Sequence, residues 1–178
     1  MKKPAPVLAT ILLLSLTLGF GFPAGLTAEE EKVVPVVTES FPVSGEVAEV
    51  LILSRGTEFK KILRFFLIEK LNEKNISVTV DKMENAGSYD PSEYGAVILL
   101  SGIQGFRPLP EAIDFIRRHS YAPNIVYVST YTLFAAPYGR SLDKKKVDAV
   151  TAASKHVEGK KFAEVSQAVL EKVTALIE

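Results

Sequence analysis

Four residues, Ser54-Arg55-Gly56-Thr57, sit between a short apolar run, Val50-Leu51-Ile52-Leu53, and a stretch that opens Glu58-Phe59-Lys60-Lys61-Ile62-Leu63. Two hydroxyls, a guanidinium and a glycine in a strand-to-helix turn have the chemistry of an anion site. The glycine admits close backbone approach, and a helix N-terminus offers N–H groups and positive potential. Arg55, Lys60 and Lys61 add charge nearby. The same four residues also read as a tight connector whose glycine only makes the turn, because a lone glycine and threonine are weak evidence for a ligand.

A second set of residues lies further along. Phe106 falls in one loop, and Tyr131, Phe134 and Tyr138 fall in another. Flat aromatic faces stack on flat, polarisable ligands. They serve equally to cap the end of a sheet, or to form an apolar patch for a protein partner. Arg107 and Arg140 flank these loops; such arginines pair with carboxylate or phosphate, or stay solvated. His119 and His156 have no metal-ligating neighbour at useful spacing, and both read as structural. No serine–histidine–acid set, paired catalytic carboxylates or G-x-S-x-G elbow is present, so no catalytic residue and no metal ligand is assigned.

These residues depend on the elements that carry them. The first strand runs Glu49 to Leu53, and its continuous apolar character suits burial on both faces. Thr57 is the expected N-cap of a helix with Glu58 in its first turn. Phe59, Ile62, Leu63, Phe66, Leu67 and Leu71 recur at helical spacing, with Lys60, Lys61, Arg64, Glu69, Lys70 and Glu73 on the other face. Ile76 to Val80 is β-branched and alternating, a second strand. Residues 81–94 leave room for a single helical turn. Ala96 to Leu100 is the third strand and 101–110 an irregular loop. Pro110 suits the first position of a helix reaching about His119, with Ala112, Ile113 and Ile116 inward and Phe115 at the margin. Asn124 to Ser129 and Val147 to Ala153 are the fourth and fifth strands. A long loop, 130–146, separates them, and a helix from Phe162 to Ile177 closes the chain. Strands alternating with helical segments imply a parallel α/β sheet with helices on both faces. Ligands of such sheets sit beyond the carboxyl ends of the strands, here loops 54–57, 101–110 and 129–141.

Over about residues 49–178 this pattern resembles the flavodoxin-like family. Three stretches carry the resemblance: Leu53-Ser54-Arg55-Gly56-Thr57-Glu58, Tyr94-Gly95-Ala96-Val97-Ile98-Leu99-Leu100-Ser101-Gly102, and Leu109-Pro110-Glu111-Ala112-Ile113-Asp114-Phe115-Ile116. The resemblance implies a doubly wound five-stranded parallel sheet of order 2-1-3-4-5. It also implies flavin mononucleotide (FMN) as cofactor, with an electron-transfer or quinone-reductase-type role in which the flavin supplies the chemistry. Ser54, Arg55, Gly56 and Thr57 would then hold the phosphate, with Gly102, Phe106, Tyr131 and Tyr138 around the ring. The family's phosphate loop runs hydroxyl, any residue, Thr, Gly, any residue, Thr. The loop here is two residues shorter and lacks the middle hydroxyl. That departure, with the absent catalytic set, frames the alternative: a non-catalytic binding or assembly module of the cell envelope that has lost flavin binding.

The chain's start points to export. Lys2 and Lys3 precede an uncharged apolar run, Val7 to Phe22, and a less apolar tail ending at Ala28, the layout of a signal peptide over 1–28. Retained instead, residues 7–22 would serve as a membrane anchor, although they fall short of the ~20 residues a spanning helix needs. Residues 29–46 then form a linker or edge segment, and 47–178 the flavodoxin-like domain. The expected location is periplasmic or extracellular. Without 1–28 the chain carries 19 basic and 21 acidic residues, which excludes the basic footprint of a nucleic-acid binder. The expected partner is a redox or envelope protein, with membrane contact only through an uncleaved N-terminal segment. The chain has no cysteine, so disulfides and thiolate chemistry are excluded, and stability must come from the core of about 150 residues.

Overall fold

The continuous apolar runs become the middle of a sheet. Strand β2 (Ala48–Ser54) pairs in parallel with β3 (Ile76–Lys82) on one side and β4 (Ala96–Gln104) on the other. Beyond β4 lie β6 (Ile125–Tyr131) and β7 (Asp148–Ala153), also parallel. The computed structural model describes residues 33–104, 107–131, 148–153 and 159–178, all within one compact unit, 31–178.

Two features correct the expected sheet. The segment read as linker or edge supplies a first strand, β1 (Glu39–Phe41), antiparallel to β3 at the sheet edge. The full order is therefore β1-β3-β2-β4-β6-β7: the five expected strands keep their relative order 2-1-3-4-5, and the added edge strand makes the sheet mixed rather than purely parallel. Pro35 and Pro42 bracket this short strand, and an edge is where such interruptions are tolerated. The second correction concerns 101–110. Strand β4 runs on to Gln104, and the chain returns antiparallel to it through β5 (Arg107–Pro108).

Alternation along the buried strands feeds two cores. Val50, Ile52, Ile98, Leu100, Val126 and Val128 face helices α1 (Glu58–Asn72) and α3 (Lys160–Ile177). Leu51, Leu53, Val97, Leu99, Ile125 and Tyr127 face α2 (Pro110–Arg118) and the first of two 3-10 turns, Met83–Ser88 and Pro91–Glu93. Phe59 of α1 meets Phe162 of α3 edge-on at 5.7 Å, which locks the two helices over one face. Phe115, expected at the margin of α2, is fully buried instead, and Ile113 is only partly buried.

Helix α1 begins where expected, with the Thr57 hydroxyl accepting from the Lys60 N–H. It ends at Asn72, and the chain leaves it through Asn75, whose φ of 59° is the left-handed conformation that asparagine tolerates better than most residues. Its expected polar face is partly buried. Lys60 and Arg64 lie on the buried side, 2% and 8% exposed. Residues 60, 64, 67 and 71 form a second helical stripe beside 59, 63 and 67, so α1 is buried over a wider arc than its apolar residues alone mark.

Candidate functional site

The carboxyl ends of β2, β4 and β6 bring several of the singled-out residues together. Ser54 is fully buried, and its hydroxyl donates to the Arg55 carbonyl at 3.2 Å. The Arg55 N–H donates to Leu100 O at 3.1 Å, tying the turn to the neighbouring strand. The Gly56 carbonyl accepts from the Val34 N–H at 3.2 Å, and Val33 bridges Thr57 in antiparallel fashion. The Thr57 hydroxyl is the helix cap. Each member of the turn is thus engaged in a contact internal to the chain.

The glycine has a specific reason. Gly56 is not among the glycines with positive φ, so the backbone conformation does not demand it. A Cβ at Gly56 would instead coincide with the Val34 carbonyl. The residue that resembles a phosphate-loop glycine makes room for the chain's own N-terminal strap, residues 33–38.

Beneath the turn lies Lys60, a residue expected on the solvated face. Its ammonium is 3.4 Å from the Thr57 hydroxyl. A Cβ at Gly102 would sit 3.4 Å from that ammonium and 3.6 Å from the Thr130 hydroxyl. Gly102, Thr130 and Lys60 therefore converge, with the Thr130 hydroxyl donating to Ser101 O at 3.3 Å. A cation at the N-terminal end of α1 adds to the positive potential of the helix dipole there.

On the opposite face of the same strands, the hydroxyls of Ser101, Tyr127 and Ser129 cluster. The Tyr127 and Ser129 hydroxyls are buried and make no hydrogen bond. Burial pushes the Tyr127 phenol up, against the opposing influence of Ser101 and Ser129. Tyr131 ends β6 half-buried. Phe106 and Tyr138, and with them Phe134 and Arg140, lie outside the described residues, so the expected ring-flanking set is represented here by Gly102 and Tyr131. His119 caps α2 and packs its ring 4.6 Å from Phe115. Among the described residues, no three histidine, aspartate or glutamate side chains gather as a metal site.

A third cluster escaped the sequence reading. Asp81, 2% exposed at the end of β3, accepts from the Thr38 hydroxyl at 2.5 Å and the Tyr89 hydroxyl at 2.7 Å. It also accepts from the Asn85 amide and the Lys82 N–H, each at 2.8 Å. Burial opposes its ionisation, but these four donors outweigh burial and hold the carboxyl below its usual range. Burial and the adjacent carboxylate push the Tyr89 phenol up to about 12. Only the spacing of Asp81, Asn85 and Tyr89 after a β-branched run hinted at this cluster, and the fourth partner, Thr38, is 43 residues away in sequence.

The residues do not fit an FMN phosphate in the resembled manner. The turn is short, its Arg55 N–H is spent on Leu100 O, and the strap lies against its glycine.

No protein-family model and no curated protein sequence matches the chain. Solved structures do. A flavo di-iron protein mutant from Thermotoga maritima superposes with a TM-score of 0.54 at 14% identity, over 78% of this chain and 37% of that one. The flavodiiron core of Flv1 from Synechocystis sp. PCC6803 gives 0.53 at 11%, over 74% and 36%. A short-chain flavodoxin associated with a bacterial microcompartment gives 0.50 at 10%, over 78% and 100%. The chain thus spans little more than a third of the flavodiiron chains it matches. It has the flavodoxin-like fold.

Proposed function

We propose that this chain is an exported flavodoxin-like domain that acts as a non-catalytic binding module of the cell envelope, not as an FMN-dependent electron carrier. The observation that carries this reading is the β2–α1 turn. Its Arg55 N–H donates to Leu100 O, its Gly56 carbonyl and Thr57 hydroxyl accept from Val34 and Lys60, and the Val34 carbonyl occupies the space beside its glycine. A phosphate held at a helix N-terminus needs close approach to the turn's backbone, which the Val34 carbonyl blocks, and a loop long enough to wrap it. The layout of residues 1–28 supports export. Likeness of fold to flavodoxins leaves function open, because function resides in the site.

The competing reading, FMN-linked electron transfer or quinone reduction, draws support from the positive potential that Lys60 and α1 place beneath Thr57 and beside Gly102. The absorbance spectrum of protein purified from its own compartment separates the two. The binding-module reading expects no flavin band and no change in melting temperature with excess FMN. Protein that carries stoichiometric flavin, or that FMN stabilises in a saturable way, overturns it.

A further inference from the structure

A groove runs between the N-terminal strap, strand β1 and helix α1. Its volume is about 120 Å³. Val37, Phe41, Phe65 and Ile68 make apolar walls, and Val80 lies at the base. Phe65 is 58% exposed at the rim, so the groove opens to solvent.

The groove also holds charge. Arg64 lines it while only 8% exposed. Among the described residues the Arg64 guanidinium makes no hydrogen bond or ion pair, and its electrostatic neighbour is Glu39. Burial pushes this guanidinium down and Glu39 partly restores it, yet an arginine stays charged in proteins. Lys61 and Glu39 complete the charged lining. Two cations against one carboxylate leave one positive charge uncompensated. A buried guanidinium whose five donors lack an acceptor is costly, and an acceptor of matching planar shape removes that cost.

We propose that this groove is a binding site for a small aliphatic monocarboxylate, with the carboxylate on Arg64 and the hydrocarbon tail against Phe41, Phe65 and Ile68. The volume holds about four water-sized groups, which sets the tail at a few carbons. The planar fork of arginine matches a carboxylate in a bidentate pair. Glu39 disfavours a dianion such as a phosphate monoester, so single charge is part of the specificity. The groove's charged residues Glu39, Lys61 and Arg64 lie outside the β2–α1 turn, and the two positions share only Val34 of the strap.

The test is titration of the protein with sodium valerate at constant ionic strength, followed by the amide NMR shifts of Phe65, Ile68 and Val80. Saturable shifts confined to the groove are expected. Acetate, which lacks the tail, binds more weakly, and so does n-pentanol, which lacks the charge. Arg64→Met weakens valerate by about tenfold or more while leaving n-pentanol unchanged. Glu39→Gln, at an exposed strand position, tightens valerate, and it keeps the proposal testable if the Arg64 variant does not fold. Absence of saturable shifts overturns the proposal. So does n-pentanol binding as tightly as valerate, or a Glu39→Gln variant that binds valerate no better than the parent. None of these results bears on flavin, so they leave the reading of the turn to its own experiment.

Discussion

Replacing Gly56 by alanine separates the two explanations for that glycine by the sign of the result. The position does not use positive φ, so the backbone itself accepts alanine. Were the site free, the substitution would stabilise by about 0.4–1 kcal/mol through a stiffer unfolded chain. The new Cβ instead coincides with the Val34 carbonyl, so the strap must retreat. Retreat breaks the Val34 N–H bond to the Gly56 carbonyl and the Val33–Thr57 bridge. One backbone hydrogen bond contributes about 1 kcal/mol net, and releasing the part-buried Val34 and Val36 removes about 1 kcal/mol more. Set against the chain-stiffening gain, the net expectation is a loss of about 1 kcal/mol, or roughly 2–4 °C in melting temperature for a chain of this size. Strand β1 and the Thr38–Asp81 bond remain, so the damage stays local. Urea denaturation gives the stability change, and hydrogen exchange at the Val34 amide reports whether the strap has left. A Gly56→Ala protein that is more stable than the parent, with Val34 still protected, refutes the account of the strap and returns the glycine to ligand binding.

Three further outcomes are expected. The folded-state pKa of Asp81 is depressed, so its contribution to stability is present above the unfolded value of 3.8 and is lost as pH falls through the folded one. Denaturant midpoints measured down the acid range should therefore fall below about pH 4, and Asp81→Asn should flatten that part of the profile. For Tyr89 the folded pKa is raised, so its contribution is complete below 10.0 and disappears as pH climbs to about 12. An ultraviolet phenolate titration of the parent and of Tyr89→Phe locates that late transition. Phe115→Ala should cost about 3–5 kcal/mol, and Ile113→Ala clearly less, because Phe115 is fully buried and Ile113 only partly; equal costs would contradict the register of α2.

The strands were legible because burial on both faces leaves a run of apolar residues that no surface element shows. Val50 to Leu53 and Ala96 to Leu100 have no competing reading. Phe115 reads as marginal in the sequence because α2 is short, and with nine residues its apolar arc is set by which neighbour it packs on rather than by period alone. Strand β1 was invisible for a different reason. Glu39-Ser40-Phe41 has no apolar alternation of its own and exists as a strand only because β3 offers an edge to pair with. Lys60 and Arg64 were read as solvated because charge usually marks the outer face. In α1 their positions fall on a stripe that the strap and the sheet end cover, and the strap arrives from more than twenty residues upstream.

The same long-range element accounts for why the candidate site could not be read locally. From residues 54–57 alone, a glycine beside two hydroxyls at a helix N-terminus is an anion site in outline. What decides its chemistry is Val34, which contributes a carbonyl to the space and an N–H to the turn. The strap that closes the turn also builds one wall of the Arg64 groove, through Val34, Pro35 and Val37. Closing one anion-attracting position and creating another are therefore consequences of a single segment. A variant that detaches the strap at Gly56 should loosen the groove as well, so Gly56→Ala is expected to weaken valerate binding although Gly56 does not line the groove. If valerate binding survives undiminished while the Val34 amide exchanges freely, the two positions are not linked through the strap, and the groove stands on α1 and β1 alone.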